Sequence, residues 1–234
     1  MPTLDTYIET YFHDKWGGPL GEDITAYYNA HPPEIYPFGD TVLFIWDLAN
    51  HPKPDVFLLY FANIASFLMI LALDKGIVFR GAMTIGDYIQ NENVVIGPAI
   101  ADAASWYELA NMIGIIVTPY CGQFISSICE DIPINPTAYP PNYMAGISLS
   151  FRKYNVPLKG GIEESLWTIN WPSLNGARMS SKSIALKWYY DCIKRVPIPL
   201  GTEEKYRNTE SYYRSSCDEL ESKAFWKHKS VNET

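Results

Sequence analysis

A chain of 234 residues, 47% hydrophobic and 19% charged, has enough apolar material to bury a core, which argues against disorder and fits one domain with or without an extension. Its formal charge of -8 repels a phosphate backbone, and no basic stripe with interleaved aromatics offsets that repulsion, so nucleic acid is not expected as a partner. Asp5 to Trp16 reads as a short helix, and the loop after it carries Gly17, Gly18, Pro19, Gly21, Pro32 and Pro33. Glu34 to Asp47 predicts two strands joined by a tight turn at Pro37 to Gly39, with Val42 to Trp46 as a buried central strand.

Val56 to Leu73 is apolar almost throughout and just reaches the length of a membrane span. Asp55 and Asp74 bracket it without a Lys/Arg belt, Asn63 and Ser66 interrupt it, and strand-like segments flank it, so a core helix is the expected form. The other reading makes the protein a membrane-anchored subunit. Ile77 to Tyr88 alternates as a strand, Asn91 to Asn93 make a turn, and Pro98 opens a helix with Ile100, Ala103, Tyr107 and Ala110 on one face. Ile113 to Thr118 predicts a further buried strand.

The order from residue 34 is therefore strand, strand, helix, strand, helix, strand. That is most of a ferredoxin-like α+β unit with its first strand missing. Beyond Tyr120 the expectation is a helix-like piece, a proline-rich loop (DIPINPTAYPPNY), two strands within Ile147–Gly161 and Ser165–Pro172, and amphipathic helices over Lys182–Val196 and Glu203–Lys229. Residues 1–120 form the expected core and 121–234 an α+β extension packed on it.

Cys121, Cys129, Cys192 and Cys217 are widely spaced, with no CxxC and no histidine cluster, which argues against structural zinc. The opening MPTLDTYIETYF lacks the basic and apolar segments of a signal peptide. Reduced thiols in a cytoplasmic protein are expected.

Two signatures carry chemistry: FGDT at 38–41 in a strand-turn-strand setting, and RGAMTIGD at 80–87 followed by GPAIADAA at 97–104. Their order and spacing resemble the class III nucleotide cyclases. Val156–Lys159 (VPLK), Trp167–Pro172 (WTINWP) and Lys205–Thr209 (KYRNT) narrow the resemblance to an uncharacterised prokaryotic subgroup of that family. What the resemblance implies is a pair of carboxylates holding two divalent ions, Mg2+ or Mn2+, for attack of a ribose hydroxyl on a nucleoside triphosphate.

Asp40 matches one of those carboxylates. The strand that should carry the other is missing, and the family's transition-state Asn and Arg fall on Ala101 and Ser105. The purine-reading positions fall on Tyr36 and Val94. No residue is therefore assigned a catalytic role, and the expected function is a silent cyclase-homology module that binds a nucleotide or a partner protein, itself in a homodimer included.

The alternative is an active, two-metal nucleotide cyclase whose true N-terminus is longer. Arg80, Asp87 and Lys159 are the candidate nucleotide contacts, and Asp40 is the candidate metal ligand. Each has a simpler reading. Asp40 is also a favoured turn residue, Arg80 a strand-face partner for Asp40, Asp87 or Asp102, and Asp102 a partner of the helix dipole. Lys159 and Lys205 read equally well as solvated loop lysines.

Overall fold

The computed structural model describes residues 32–48, 54–91, 94–135 and 143–223. The expected first helix, most of the loop after it, the tip of the turn at 91–93, the middle of the proline-rich loop and the end of the last helix lie outside the described residues. The chain forms two units, residues 1–60 and 61–234, and the architecture is mixed α+β.

In the first unit β1 (Glu34–Phe38) and β2 (Thr41–Ile45) form an antiparallel hairpin. Phe38 pairs with Thr41, so the turn is Gly39-Asp40 and not Pro37 to Gly39. Gly39 takes a φ of 61°, which the two-residue hairpin turn demands and a residue without Cβ supplies cheaply. Among the described residues β2 pairs only with β1 and leaves Val42 half exposed, so it is not the buried central strand its run of apolar residues suggested. A run of apolar residues cannot by itself separate a central strand from a hairpin arm.

Helix α1 (Pro54–Asp74) runs across the division between the units. It is apolar on nearly every face, and 67% of the window Phe57–Asp74 is buried, as a core helix requires. Its acidic end is bonded within the second unit, where Asp74 accepts from the Trp188 indole at 2.9 Å.

The second unit is built on a four-stranded sheet in the order β3-β6-β8-β7. β3 (Gly81–Met83) and β6 (Ile115–Val117) are parallel and share a register of Gly81 to Ile115. Between them lie the β4 (Ile89–Asn91) and β5 (Val94–Ile96) hairpin and α2 (Pro98–Leu109). After β6 come α3 (Pro119–Asp131) and α4 (Tyr143–Ser150). β7 (Phe151–Pro157) and β8 (Glu163–Ile169) then pair antiparallel, and β8 docks against β6. Residues on both sides of position 120 thus share one sheet.

The C-terminal helices are α5 (Trp171–Arg178), α6 (Lys182–Ile193) and α7 (Glu203–Ser222). α3 and α7 cover opposite faces of the β7–β8 pair. On one face the Trp167 indole donates to Ser126 of α3 at 2.9 Å. On the other, the buried Tyr212 hydroxyl of α7 lies 2.8 Å from that of Thr168 and donates to the Ile169 carbonyl at 3.0 Å.

Two sequence assignments shift here. Ile147–Ser150, expected to begin a strand, closes α4, and Trp171-Pro172, expected to end one, opens α5 with proline at a first-turn position that lacks an N–H partner anyway. Several buried polar side chains of this corner are bonded to one another, while the Trp171 indole N–H and the Asn175 amide oxygen are buried with no hydrogen-bond partner among the described residues. Asn170 donates to Ser173 at 2.8 Å and accepts from Ser216 at 2.9 Å, while Asn175 donates to Tyr213 at 2.7 Å. Closing such groups on one another avoids the cost of burying them unpaired.

Candidate functional site

Apart from Asp40, the candidate residues singled out by sequence fall near the two ends of α2. At its start, Gly97 is the N-cap with a φ of 153°, and Pro98 and Ala99 begin the helix. A Cβ on Gly97 would stand 2.7 Å from the Asp87 carbonyl oxygen and 2.7 Å from Tyr88 Cα. Only glycine permits that approach, which lets the Ala99 N–H donate to the Asp87 carbonyl at 3.3 Å. The GPA motif is thus explained by backbone packing. The Asp87 carboxylate itself faces solvent.

One turn further on, Asp102 accepts from the Thr84 hydroxyl at 2.8 Å, and Thr84 accepts from the buried Thr118 hydroxyl at 3.0 Å. This chain of hydroxyls links the carboxyl ends of the parallel strands β3 and β6 to α2. Asp102 lies past the first turn, where the helix dipole has faded, so its main partner is Thr84. Burial, with the Asp102 charge adding to it, pushes the Cys121 thiol up to about 12. It is a proton-holding core thiol and no nucleophile.

At the other end of α2 three motifs meet. The Arg80 guanidinium donates to the carbonyls of Glu108 and Ala110 at 3.3 and 3.2 Å and lies 5.5 Å from the Tyr107 ring centroid. It thereby satisfies carbonyls that a helix end leaves without intrahelical donors. The VPLK segment runs alongside: Asn111 N–H donates to the Pro157 carbonyl, and Lys159 N–H to that of Leu109, both at 2.8 Å.

The KYRNT segment closes the turn from the far side. Asn208 donates to the Asn111 carbonyl at 2.8 Å, Thr209 accepts from Ile113 N–H at 2.8 Å, and the Thr209 hydroxyl donates to the Lys205 carbonyl at 2.6 Å. Asn111 also donates to the Glu204 carboxylate at 2.9 Å. Arg80, Lys159 and Lys205 therefore rise from backbone pinned to one turn, residues 108–113. Burial, then the charge of Arg80, then that of Lys159, holds the Lys205 ammonium below the ordinary lysine value.

The structure thus brings Arg80 and Lys159 together and adds Lys205. Asp87 is not with them. Its backbone contact at Ala99 is separated from the Leu109 end by about 15 Å of helix, ten residues at roughly 1.5 Å each. Arg80 pairs with carbonyls and a ring, and among the described residues it forms no ion pair with Asp40, Asp87 or Asp102. Sequence reasoning noted Lys205 but had no means of seeing that Arg80 and Lys159 converge on it, since the three are far apart along the chain.

Asp40 is exposed at the tip of its hairpin, where its carboxylate accepts from the Thr41 hydroxyl at 3.4 Å. Among the described residues no group of three or more His, Cys, Asp or Glu could hold a metal ion. One exposed carboxylate does not supply the set of oxygen ligands that Mg2+ or Mn2+ takes, so the described residues do not fit a divalent-ion site and no step is derived through one. Comparison of the chain with protein-family models, with curated proteins and with solved structures finds no match to any of them.

Proposed function

We propose that this chain is a catalytically silent relative of the class III nucleotide cyclases that binds the phosphates of a nucleotide at the turn following α2. One observation carries the reading: Arg80, VPLK and KYRNT, separate in sequence, all bond to residues 108–113. A cationic turn of this kind offers charge-assisted donors to phosphate oxygens. The ferredoxin-like core and the subgroup assignment belong to the same proposal, and so does a cytoplasmic location.

Isothermal titration with ATP and GTP, each with and without Mg2+ or Mn2+, tests it. Binding should weaken in Lys159→Ala and stay unchanged in Asp40→Ala. Formation of a cyclic nucleotide by the wild type, abolished by Asp40→Ala, would refute it in favour of an active cyclase.

A second reading, pairing with another copy of the chain, rests on the β4–β5 hairpin, where Ile89, Val94 and Ile96 are 67%, 56% and 57% exposed. Apolar side chains clustered on so short an element are a surface that association would cover. A sedimentation mass that stays monomeric at high concentration would dismiss it.

A further inference from the structure

We propose that Lys205 completes a three-cation site with Arg80 and Lys159, and that this site takes the pyrophosphate part of its ligand without reading the base. The inference rests on the nucleotide reading above and narrows it to a ligand class, anions bearing two or more phosphate charges.

The geometry comes first. Arg80 reaches the carbonyls of Glu108 and Ala110, Lys159 is tied to Leu109, and Lys205 is tied through Thr209 to Ile113, so one short turn gathers all three. The charge balance comes second. The chain carries 26 acidic against 18 basic residues, and Lys182, Lys187, Lys223, Arg152 and Arg214 all pair with carboxylates. Among the described residues Arg80, Lys159 and Lys205 pair with none, and neither do Lys75, Lys153, Arg178, Arg195 and Arg207, so what sets the three apart is that all are tied to one turn. Glu204, in the same helical turn as Lys205, directs its carboxylate to the Asn111 amide. A group of cations left without counter-charges in an acidic chain raises the free energy of the fold, and a multiply charged anion relieves it.

The absence of base recognition follows from position. Asp87, the acidic one of the candidate nucleotide contacts, lies at the far end of α2, and the functions Arg80 and the lysines present are donors suited to oxygen anions.

The test uses the full chain, with pyrophosphate, ATP and adenosine as probes, on wild type, Lys205→Met and Lys159→Met. Methionine keeps the length of the side chain and removes the charge. Pyrophosphate and ATP should bind the wild type with similar affinity, adenosine should not compete, and each methionine variant should lose about tenfold in affinity for both anions. The melting temperature of Lys205→Met should be equal to that of the wild type or higher, a result that a merely structural lysine would not give.

Binding of ATP but not pyrophosphate, or unchanged affinities in Lys205→Met, would overturn this inference and leave the nucleotide reading standing. Pyrophosphate binding that needs Lys205, with no binding of ATP, would do the reverse. No binding of either anion would overturn both.

Discussion

The two ends of α2 are built from the same kinds of loop but settle their charges in opposite ways. At the first turns, Thr118, Thr84 and Asp102 form a closed chain that passes from a buried hydroxyl to a half-buried carboxylate, with a partner at each step. At the last turn three cations rise from backbone tied to residues 108–113, and Arg80 takes up two of the carbonyls there while no described carboxylate pairs with any of the three. A self-satisfied cluster contributes to stability and leaves little for a ligand to do. An uncompensated one costs stability, and that is the usual mark of a site kept for binding.

The largest expected effect is Arg80→Ala. It removes two hydrogen bonds from a charged donor and the ring contact with Tyr107, and should lower unfolding free energy by about 2–3 kcal/mol in urea denaturation. Arg80→Lys should recover only part of that loss: one nitrogen, Nη1, makes both carbonyl bonds, and a compact, strongly hydrated ammonium lacks the guanidinium's contact with the Tyr107 ring. A loss below about 0.5 kcal/mol for Arg80→Ala would mean that the helix end is held by Lys159 N–H and Asn208 alone.

Local chemistry was legible in the sequence and long-range assembly was not. Pro98 at a helix start, Gly39 in a hairpin turn and the apolar helix over Val56–Leu73 follow from residue-level rules, whereas the expected order of elements lacks the β4–β5 hairpin and the expected strand Ile77–Tyr88 shrinks to Gly81–Met83. The apolar run Val42–Trp46 predicts a central strand and is a hairpin arm, because the two have the same appearance in sequence. In sequence VPLK and KYRNT are visible only as marks of a family resemblance. Their physical role, holding residues 108–113, depends on bonds between positions some 50 to 100 apart in the chain, such as Asn208 to Asn111. No periodicity carries that information.

The middle effect belongs to the closed end. Asp102→Asn keeps the shape but turns the charge-assisted bond from Thr84 into a neutral one, at a cost of about 1 kcal/mol. It also removes the lesser of two causes that raise the Cys121 thiol, so thiolate absorbance should rise at a lower pH than in the wild type. The sign for stability follows. Below pH 9.0 the thiol is protonated in both folded and unfolded chains and the native state loses nothing. Between 9.0 and about 12 the unfolded chain ionises while the buried thiol does not, so stability falls as pH rises. The total alkaline loss should be smaller in Asp102→Asn, because its folded-state thiol ionises sooner and the pH window closes earlier.

The smallest effect is the sharpest test of the comparison. The Lys205 ammonium is held below its ordinary 10.5 by burial and by its two cationic neighbours, so the folded state disfavours its charge. The cost is present in full at pH values below the folded-state value, and it fades as pH rises through that value toward 10.5, where the unfolded chain also gives up its proton. Lys205→Met lacks the charge at every pH. Relative to wild type it should therefore be more stable near neutrality, by no more than about 0.5 kcal/mol for a surface position, and the difference should vanish above pH 10.5. Matched urea titrations at pH 7 and 10.5 read that difference directly. A variant less stable than wild type at pH 7 would show that the cationic end, like the acidic one, is built for stability, and the contrast between the two ends of α2 would disappear.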